Sequence, residues 1–336
     1  MRKNVLVFRE LPDDQLARLQ AAHQVTVANP RVAEQRDAFF AALPAAQGLI
    51  GSSFSIDESV LAQAPWLEVV SSISVGVDNY DLQAFRQRGI VLTHTPGVLT
   101  ETTADTIFAL VMASSRRIVA LANLVREGRW TSNIDTSLFG WDVHGKTLGI
   151  VGFGRIGQAV ARRAALGFGM PVLYSNPRAV ELPELIGRMS HVSLDTLLPR
   201  ADIVVSTVPL TDSTRGMMNA QRFASMKRGA IFVNGSRGAV VDETALLAAL
   251  DSGQLRAAGL DVFAVEPLPL DSPLRIHPHV TALPHIGSAT HETRYAMAEL
   301  ATSNLLQALA GQRPTCTVAN HAAGSIKILG DSDRLR

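Results

Sequence analysis

Gly152, Gly154 and Gly157 carry the first chemistry legible in the chain. They follow the apolar run Thr147 to Val151 and open a segment of helical period, Arg155 to Gly167. In that context G-x-G-x-x-G cradles a pyrophosphate. The first glycine permits a tight turn, the second admits the pyrophosphate to the backbone, and the third lets helix pack on strand. The helix N-terminus, with Arg155 and Ile156 beside the loop, offers free N–H groups and a partial positive charge.

The next apolar run ends Val172-Leu173-Tyr174-Ser175-Asn176-Pro177-Arg178. A dinucleotide site selecting a free ribose 2′-hydroxyl places an acid near this strand end. Neither Ser175 nor Asn176 is acidic, and Ser175, Asn176 and Arg178 can all donate to a 2′-phosphate. The residues therefore predict NADPH over NADH, with NAD(H) as the alternative.

Three further segments fall where strands of the same sheet should end: Val233 to Gly238, Gly259 to Pro267, and Pro284 to Thr290. Ligands of open α/β sheets bind outside the carboxyl ends of the strands, so Arg237, a carboxylate and His285 could converge there. The chain resembles the D-isomer-specific 2-hydroxyacid dehydrogenases from about Val5 to Val318. The motifs are the glycine loop, Asn234-x-x-Arg237-Gly238, Gly259-Leu260-Asp261-Val262-Phe263-x-x-Glu266-Pro267, and Pro284-His285-Ile286-Gly287-Ser288-Ala289-Thr290. Within that family, His285 to Arg294 and Asp142 to Lys146 look most like the glyoxylate/hydroxypyruvate reductase branch that also reduces 2-ketogluconate.

The resemblance implies hydride transfer to a small 2-keto acid. Arg237 would bind the substrate carboxylate and polarise its keto oxygen. His285 would be the general acid, and Glu266 would orient its ring. Asp261 would hold the nicotinamide carboxamide, and Thr207, Val208 and Pro209 would line the adenosine side. Gly235 and Ser236 beside Arg237, and Gly287 and Ser288 beside His285, complete the cofactor set. Val75 and Gly76, in Ser74-Val75-Gly76-Val77-Asp78, would offer N–H groups to the substrate carboxylate.

The elements that must position these residues alternate strand with helix, which implies βαβ units and parallel sheets. In the first hundred residues strands are expected at Val5 to Phe8, Gly48 to Gly51, Leu67 to Val70 and Ile90 to Leu92, with helices at Pro12 to Ala22, Asp57 to Gln63 and Asp81 to Arg88. A long helix is expected from Glu101 to Glu127. Strands follow at Thr147 to Val151, Val172 to Ser175, Ile203 to Thr207, Ala230 to Asn234, Gly259 to Val262 and near Val280 to Leu283. Helices between them are expected at Leu194 to Leu198, Ala220 to Met226 and Asp242 to Gly253. A final helix, Glu292 to Ala310, returns after the second sheet. The fold class is α/β with two doubly wound parallel-sheet domains: a Rossmann cofactor domain at residues 101–287 inserted into a flavodoxin-like substrate domain at 1–100 plus 288–320. Residues 321–336 form a tail.

Composition sets the outer bounds. At about 150 residues per domain, 336 residues suggest two domains. The chain is 47% apolar and 18% charged, against the disordered class. Its net charge of +1, with basic residues scattered, argues against nucleic acid as a partner. The single cysteine, Cys316, forms no internal disulfide and no thiolate zinc cluster. No metal is expected: His277-Pro278-His279 reads as a loop, and His285 and His291 lack the i, i+4 spacing. With no signal or membrane-length segment, a cytoplasmic enzyme is expected. Trp130 and Trp141 are expected as packing anchors, and a homodimer is implied by the resemblance alone. Rival readings are a D-3-phosphoglycerate or D-lactate type dehydrogenase and a cofactor-sensing, corepressor-like binding protein. Against the first, Ser71 to Tyr80 carries no basic cluster for a phosphate.

Overall fold

The computed structural model describes residues 1–318, so the tail expected at 321–336 lies outside the described residues. The chain divides into two compact units. One is Met1–Leu99 together with the described residues from Thr290 to Val318, and the other is Thr100–Ala289.

The first unit runs β1 (Asn4–Val7), α1 (Asp13–Ala22), β2 (Gln24–Val27), α2 (Ala33–Ala42), β3 (Gly48–Gly51), α3 (Glu58–Leu61), β4 (Val69–Ser72), α4 (Leu82–Gln87) and β5 (Val91–Thr93). All strand pairs are parallel, in the order β2-β1-β3-β4-β5. That is the flavodoxin-like order, which folds from right-handed crossovers placing helices on both faces. β3 and β4 are buried along their whole length, as a doubly covered sheet requires. The side chains of Asp57 and Asp81 cap α3 and α4 by accepting backbone N–H groups.

Two elements here carry weak sequence signals. β2 is a four-residue edge strand, mostly exposed: Val25 and Val27 alternate with Gln24 and Thr26, but the run is too short to stand out. α2 buries only Phe39.

The second unit runs α5 (Thr100–Arg116), α6 (Ile118–Arg126), β6 (Leu148–Val151), α7 (Arg155–Arg162), β7 (Val172–Ser175), β8 (Met189–His191), α8 (Leu194–Leu197), β9 (Ile203–Ser206), α9 (Ala220–Ser225), β10 (Ala230–Asn234), α10 (Glu243–Asp251), β11 (Leu255–Leu260) and β12 (Val280–Ala282). Its seven strands are parallel in the order β12-β11-β10-β9-β6-β7-β8. Counted from β6, this is the dinucleotide-binding order 3-2-1-4-5-6 with one strand added at the edge. The chain reverses direction across the sheet between β6 and β9, where such folds bind their ligands.

The helix expected from Glu101 to Glu127 is two helices, bent by 66°. Arg117 breaks it in the left-handed region, φ 56°. The cause is competition for one carbonyl: Trp141 N–H donates to Ser115 O at 2.9 Å. Gly140 lies so close that a Cβ there would sit 2.8 Å from the Arg116 backbone. Likewise the helix expected to run to Gly167 ends as α at Arg162 and closes with a π-turn, Arg163–Gly167.

Trp130 and Trp141 are not packing anchors within the chain. Trp130 is 59% exposed, and Trp141 lies under the Arg256 guanidinium, 4.1 Å from the ring centroid. The segment that joins the two indoles is itself almost wholly exposed, and its Ile134, Leu138 and Phe139 line one groove with both of them. Among the described residues no single helix is long and apolar enough to cross a membrane.

The final helix, α11 (His291–Leu309), completes the first unit. Ser71 Oγ donates to Ala301 O at 2.7 Å, and Asn304 Nδ2 donates to His94 O. At Gly48 a Cβ would meet Leu305 and Leu309 at 3.1 Å, so glycine lets the helix approach the sheet closely.

Candidate active site

The glycine loop follows β6 and opens α7, with Gly154 as the N-cap. Each glycine has its own reason. Gly152 holds φ 91°, and a Cβ there would lie 2.8 Å from Val208 N. Gly157 sits where a Cβ would lie 2.4 Å from Gly152 O, so the helix meets the turn at backbone distance. A Cβ on Gly154 would meet nothing within 4 Å, which leaves the side facing the helix N-terminus open for a ligand. Thr207 Oγ1 donates to Gly152 O at 2.6 Å and ties the Thr207-Val208-Pro209 turn to the loop. Ile156 is half-buried behind it, packed against the core. The loop fits a dinucleotide pyrophosphate.

At the end of β7 the hydrogen bonds are specific. Gly152 N–H donates to Ser175 O, and Phe153 N–H donates to Asn176 Oδ1 at 3.1 Å. Asn176 Nδ2 donates in turn to Arg178 O, so the asparagine couples the glycine loop to the loop that carries Arg178. Arg178 is exposed, and no carboxylate occupies the strand end. Sequence reasoning missed His191, whose Nε2 lies 2.8 Å from Asn176 O and whose ring stacks on Tyr174.

Beyond β10, β11 and β12, three loops bring Arg237, Glu266 and His285 into one cluster. Asn234 organises the first: its Oδ1 accepts Ser236 N–H and Oγ–H, and its Nδ2 donates to Arg237 O. Gly238 then presses on the second loop, where a Cβ would lie 1.8 Å from the Phe263 carbonyl carbon. Gly235 is equally confined against Ile107 of α5, 2.3 Å from where its Cβ would be. Asn234 and Gly238 are functional in this positional sense, and the Asn-x-x-Arg-Gly spacing was the available signal.

Glu266 accepts twice. Its Oε1 takes Phe263 N–H at 3.0 Å, and its Oε2 lies 2.7 Å from His285 Nδ1. That bond leaves Nε2 of the ring to face a reacting oxygen. Burial alone would push the Glu266 carboxyl up, but the His285 and Phe263 hydrogen bonds and the His285 and Arg237 charges outweigh it, and its pKa lies below the ordinary value.

The third loop is held by Asp261, which is 3% exposed. Its two oxygens accept Ile286 N–H at 2.7 Å and Gly287 N–H at 2.8 Å. Burial raises its pKa against those two bonds. Asp261 therefore anchors the residues next to His285. A Cβ on Gly287 would come 3.1 Å from its Oδ2, and half-buried Ser288 follows.

Val75 and Gly76 belong to the first unit, in the loop after β4. A chain of hydroxyls holds this loop: Tyr80 Oη to Ser72 Oγ at 2.9 Å, Ser72 Oγ to Ser74 Oγ at 2.7 Å, and Ser74 Oγ to Gly76 O at 2.7 Å. His94 Nδ1 lies 3.2 Å from Val75 O. With both carbonyls engaged by the protein, the loop's orientation is set from beneath. Among the described residues no group of three or more His, Cys, Asp or Glu could hold a metal ion.

Comparison with known proteins agrees with this architecture. Residues 108–287 match the family model described as D-isomer specific 2-hydroxyacid dehydrogenase, NAD binding domain. The chain is 50% identical over 326 residues to glyoxylate/hydroxypyruvate reductase B of Escherichia coli strain SMS-3-5, covering 96% of this chain and 100% of that protein. Among solved structures it is similar to the TT0316 protein of Thermus thermophilus, with TM-score 0.86, 45% identity, and 94% and 100% of the two chains covered. It is also similar to the NADPH-dependent glyoxylate/hydroxypyruvate reductase of Sinorhizobium meliloti in complex with NADP and malonate, with TM-score 0.85, 31% identity, and 95% and 98% covered.

Proposed function

The chain belongs to the D-isomer-specific 2-hydroxyacid dehydrogenases, and from that premise we propose that it is an NADPH-preferring reductase of small 2-keto acids. Glyoxylate, hydroxypyruvate and 2-ketogluconate are its substrates, and D-2-hydroxy acids are its products. The observation that carries the reading is the Glu266–His285 pair at 2.7 Å with Arg237 beside it, on the carboxyl side of a dinucleotide-binding sheet.

When bound, the nicotinamide supplies a hydride to the keto carbon. The glycine loop and the α7 N-terminus would hold its pyrophosphate, and Asp261, through the loop that it anchors, would hold the carboxamide end. Arg237 donates its planar fork to the substrate carboxylate and keto oxygen, which orients the carbonyl and stabilises the negative charge that develops there. His285 Nε2 delivers a proton to that oxygen, while Glu266 holds Nδ1 and stabilises the charged ring. Val75 and Gly76 offer N–H groups to the carboxylate. In the reverse direction His285 takes the proton back.

The NADPH preference is supported by the absence of an acid after β7 and by Arg178 there, held through Asn176. A carboxylate at that position would repel a 2′-phosphate and accept from a free 2′-hydroxyl. The relative from Escherichia coli, at 50% identity, supports the substrate class. The homodimer is supported by the exposed apolar side chains of the second unit, Ile118, Val125, Trp130, Ile134 and Phe139.

The test is a panel of 2-keto acids with each cofactor. The expected result is rapid oxidation of NADPH with hydroxypyruvate and glyoxylate, and a lower KM for NADPH than for NADH. Cofactor binding with no turnover on any 2-keto acid overturns the reading in favour of a sensor.

A further inference from the structure

We propose that Arg9 and Arg294 form a subsite for a terminal oxyanion, a second carboxylate or a phosphate, at the far end of longer 2-keto acids. Both residues belong to the first unit. Arg9 follows β1 on the carboxyl side of the sheet, and Arg294 is the fourth residue of α11. Both guanidinium-bearing residues are partly buried.

Neither has an ion-pair partner among the described residues. Arg9 Nη1 donates to Ser53 Oγ at 3.2 Å, and Ser53 is itself held in the left-handed region at φ 62°. The Arg294 guanidinium has no protein acceptor among the described residues. Its pKa lies below the ordinary value, first through burial and then through the charge of Arg9. The nearby acid Asp14 is engaged elsewhere, accepting from Tyr295 Oη at 2.6 Å and from Gln15. Glu292 is exposed on the first turn of α11.

Two like charges partly removed from water, one of them on the opening turns of a helix where the backbone dipole is also positive, form an unfavourable arrangement. An oxyanion between them converts both repulsions into charge-assisted hydrogen bonds. Arg88, Arg162 and Arg163 have acids as partners, Glu58, Glu184, and Glu101 with Asp105 respectively. Arg9 and Arg294 have none among the described residues, and Arg9 lies at the carboxyl end of a parallel strand, where such sheets bind ligands.

Position within the unit sets the ligand's length. Arg9 follows β1, Ser53 follows β3, and Val75 and Gly76 follow β4, with these three strands adjacent. Two strand spacings separate the first from the last, roughly 10 Å. A chain of about four to six carbons with a hydrogen bond at each end covers that span. Basic residues for a phosphate are absent from Ser71 to Tyr80 in the sequence, but the fold supplies two from positions 9 and 294.

The subsite rests on the reductase reading for its catalytic test, and a second measurement frees it from that reading. The catalytic test compares kcat/KM for 2-oxoglutarate with that for 2-oxopentanoate, and for 3-phosphohydroxypyruvate with that for hydroxypyruvate, in wild type, Arg294→Gln and Arg9→Gln. The expected result is that each variant lowers the anionic-to-neutral ratio by about ten- to a hundredfold, the scale of a charge-assisted hydrogen bond. A fall for the diacid pair alone assigns a carboxylate, and for the phosphate pair alone a phosphate. An unchanged ratio overturns the proposal, as does an equal fall for both members of each pair. The independent measurement is the Tm shift produced by glutarate against butyrate at matched ionic strength, without cofactor or turnover. A glutarate-specific rise that Arg9→Gln/Arg294→Gln abolishes supports the subsite even if no 2-keto acid is reduced. No glutarate-specific rise in the wild type overturns it.

Discussion

His285 holds its backbone at φ 56°, a conformation that side chains other than glycine's adopt rarely. Such strain persists where surrounding bonds enforce it, and here Asp261 does so through Ile286 and Gly287 while Glu266 fixes the ring. Replacing His285 by Gln is expected to lower turnover by at least about 10²-fold with cofactor binding retained, the loss that goes with a general acid. Near-wild-type turnover would reject the role. Glu266 supplies the pH dependence. Its folded pKa is depressed, so its contribution to stability is present above the ordinary carboxylate range and is lost as pH falls through the lower folded value. The pair therefore stays intact in mildly acidic solution. Glu266→Gln is expected to lower Tm at neutral pH and to flatten its fall in acid, read from Tm against pH. An unaltered acid-side fall would mean that the depressed carboxyl contributes nothing to stability.

At the scale of elements, the loop after β4 shows how a fold prepares a binding surface. Each hydroxyl has one proton to give, and the Gly76 carbonyl can only accept. Ser74 therefore donates to Gly76 O, Ser72 to Ser74, and Tyr80 to Ser72, so the chain has one direction. Burial pushes the Tyr80 phenol up to about 12, which keeps it a donor at any working pH. Tyr80→Phe removes the head of the chain. The expected effect is a KM for hydroxypyruvate raised by roughly three- to tenfold, the worth of one neutral hydrogen bond, with the NADPH KM unmoved. Adding Ser74→Ala should cost less than the sum of the two single effects, because both break one chain. Full additivity would show that the hydroxyls act separately.

These elements also mark what the sequence made legible. Runs such as Val172 to Ser175 and Ala230 to Asn234 are recognised to the residue because buried parallel strands are continuously apolar. The edge strands β2 and β8 lack that signal, and the break at Arg117 depends on a loop arriving from Gly140–Trp141. The Arg237, Glu266 and His285 motifs are short local patterns and were readable. The hydroxyl chain and the Arg9–Arg294 pair are assembled by strand order and by a helix at the other end of the chain, so no local pattern carries them.

At the scale of the whole molecule, the second unit carries an apolar surface that the described residues leave uncovered. α6 buries none of its residues, and Ile118, Val119 and Val125 on it are 49%, 45% and 56% exposed. With Trp130, Ile134, Phe139 and Trp141 it borders a groove of about 480 Å³. Contiguous apolar patches of this kind on soluble proteins mark interaction sites. A second copy is the occupant that the family resemblance implies, and a face of aliphatic and aromatic side chains suits a homodimer interface. Val125→Asp would place an unpaired carboxylate in that interface, a burial cost large enough to raise the dimer dissociation constant by at least about 10²-fold. Light scattering should find wild type at twice the chain mass and Val125→Asp at the chain mass with its circular dichroism unchanged. Wild type running at the single-chain mass at micromolar concentration would reject the dimer. An unaltered Val125→Asp dimer would move the interface to another face.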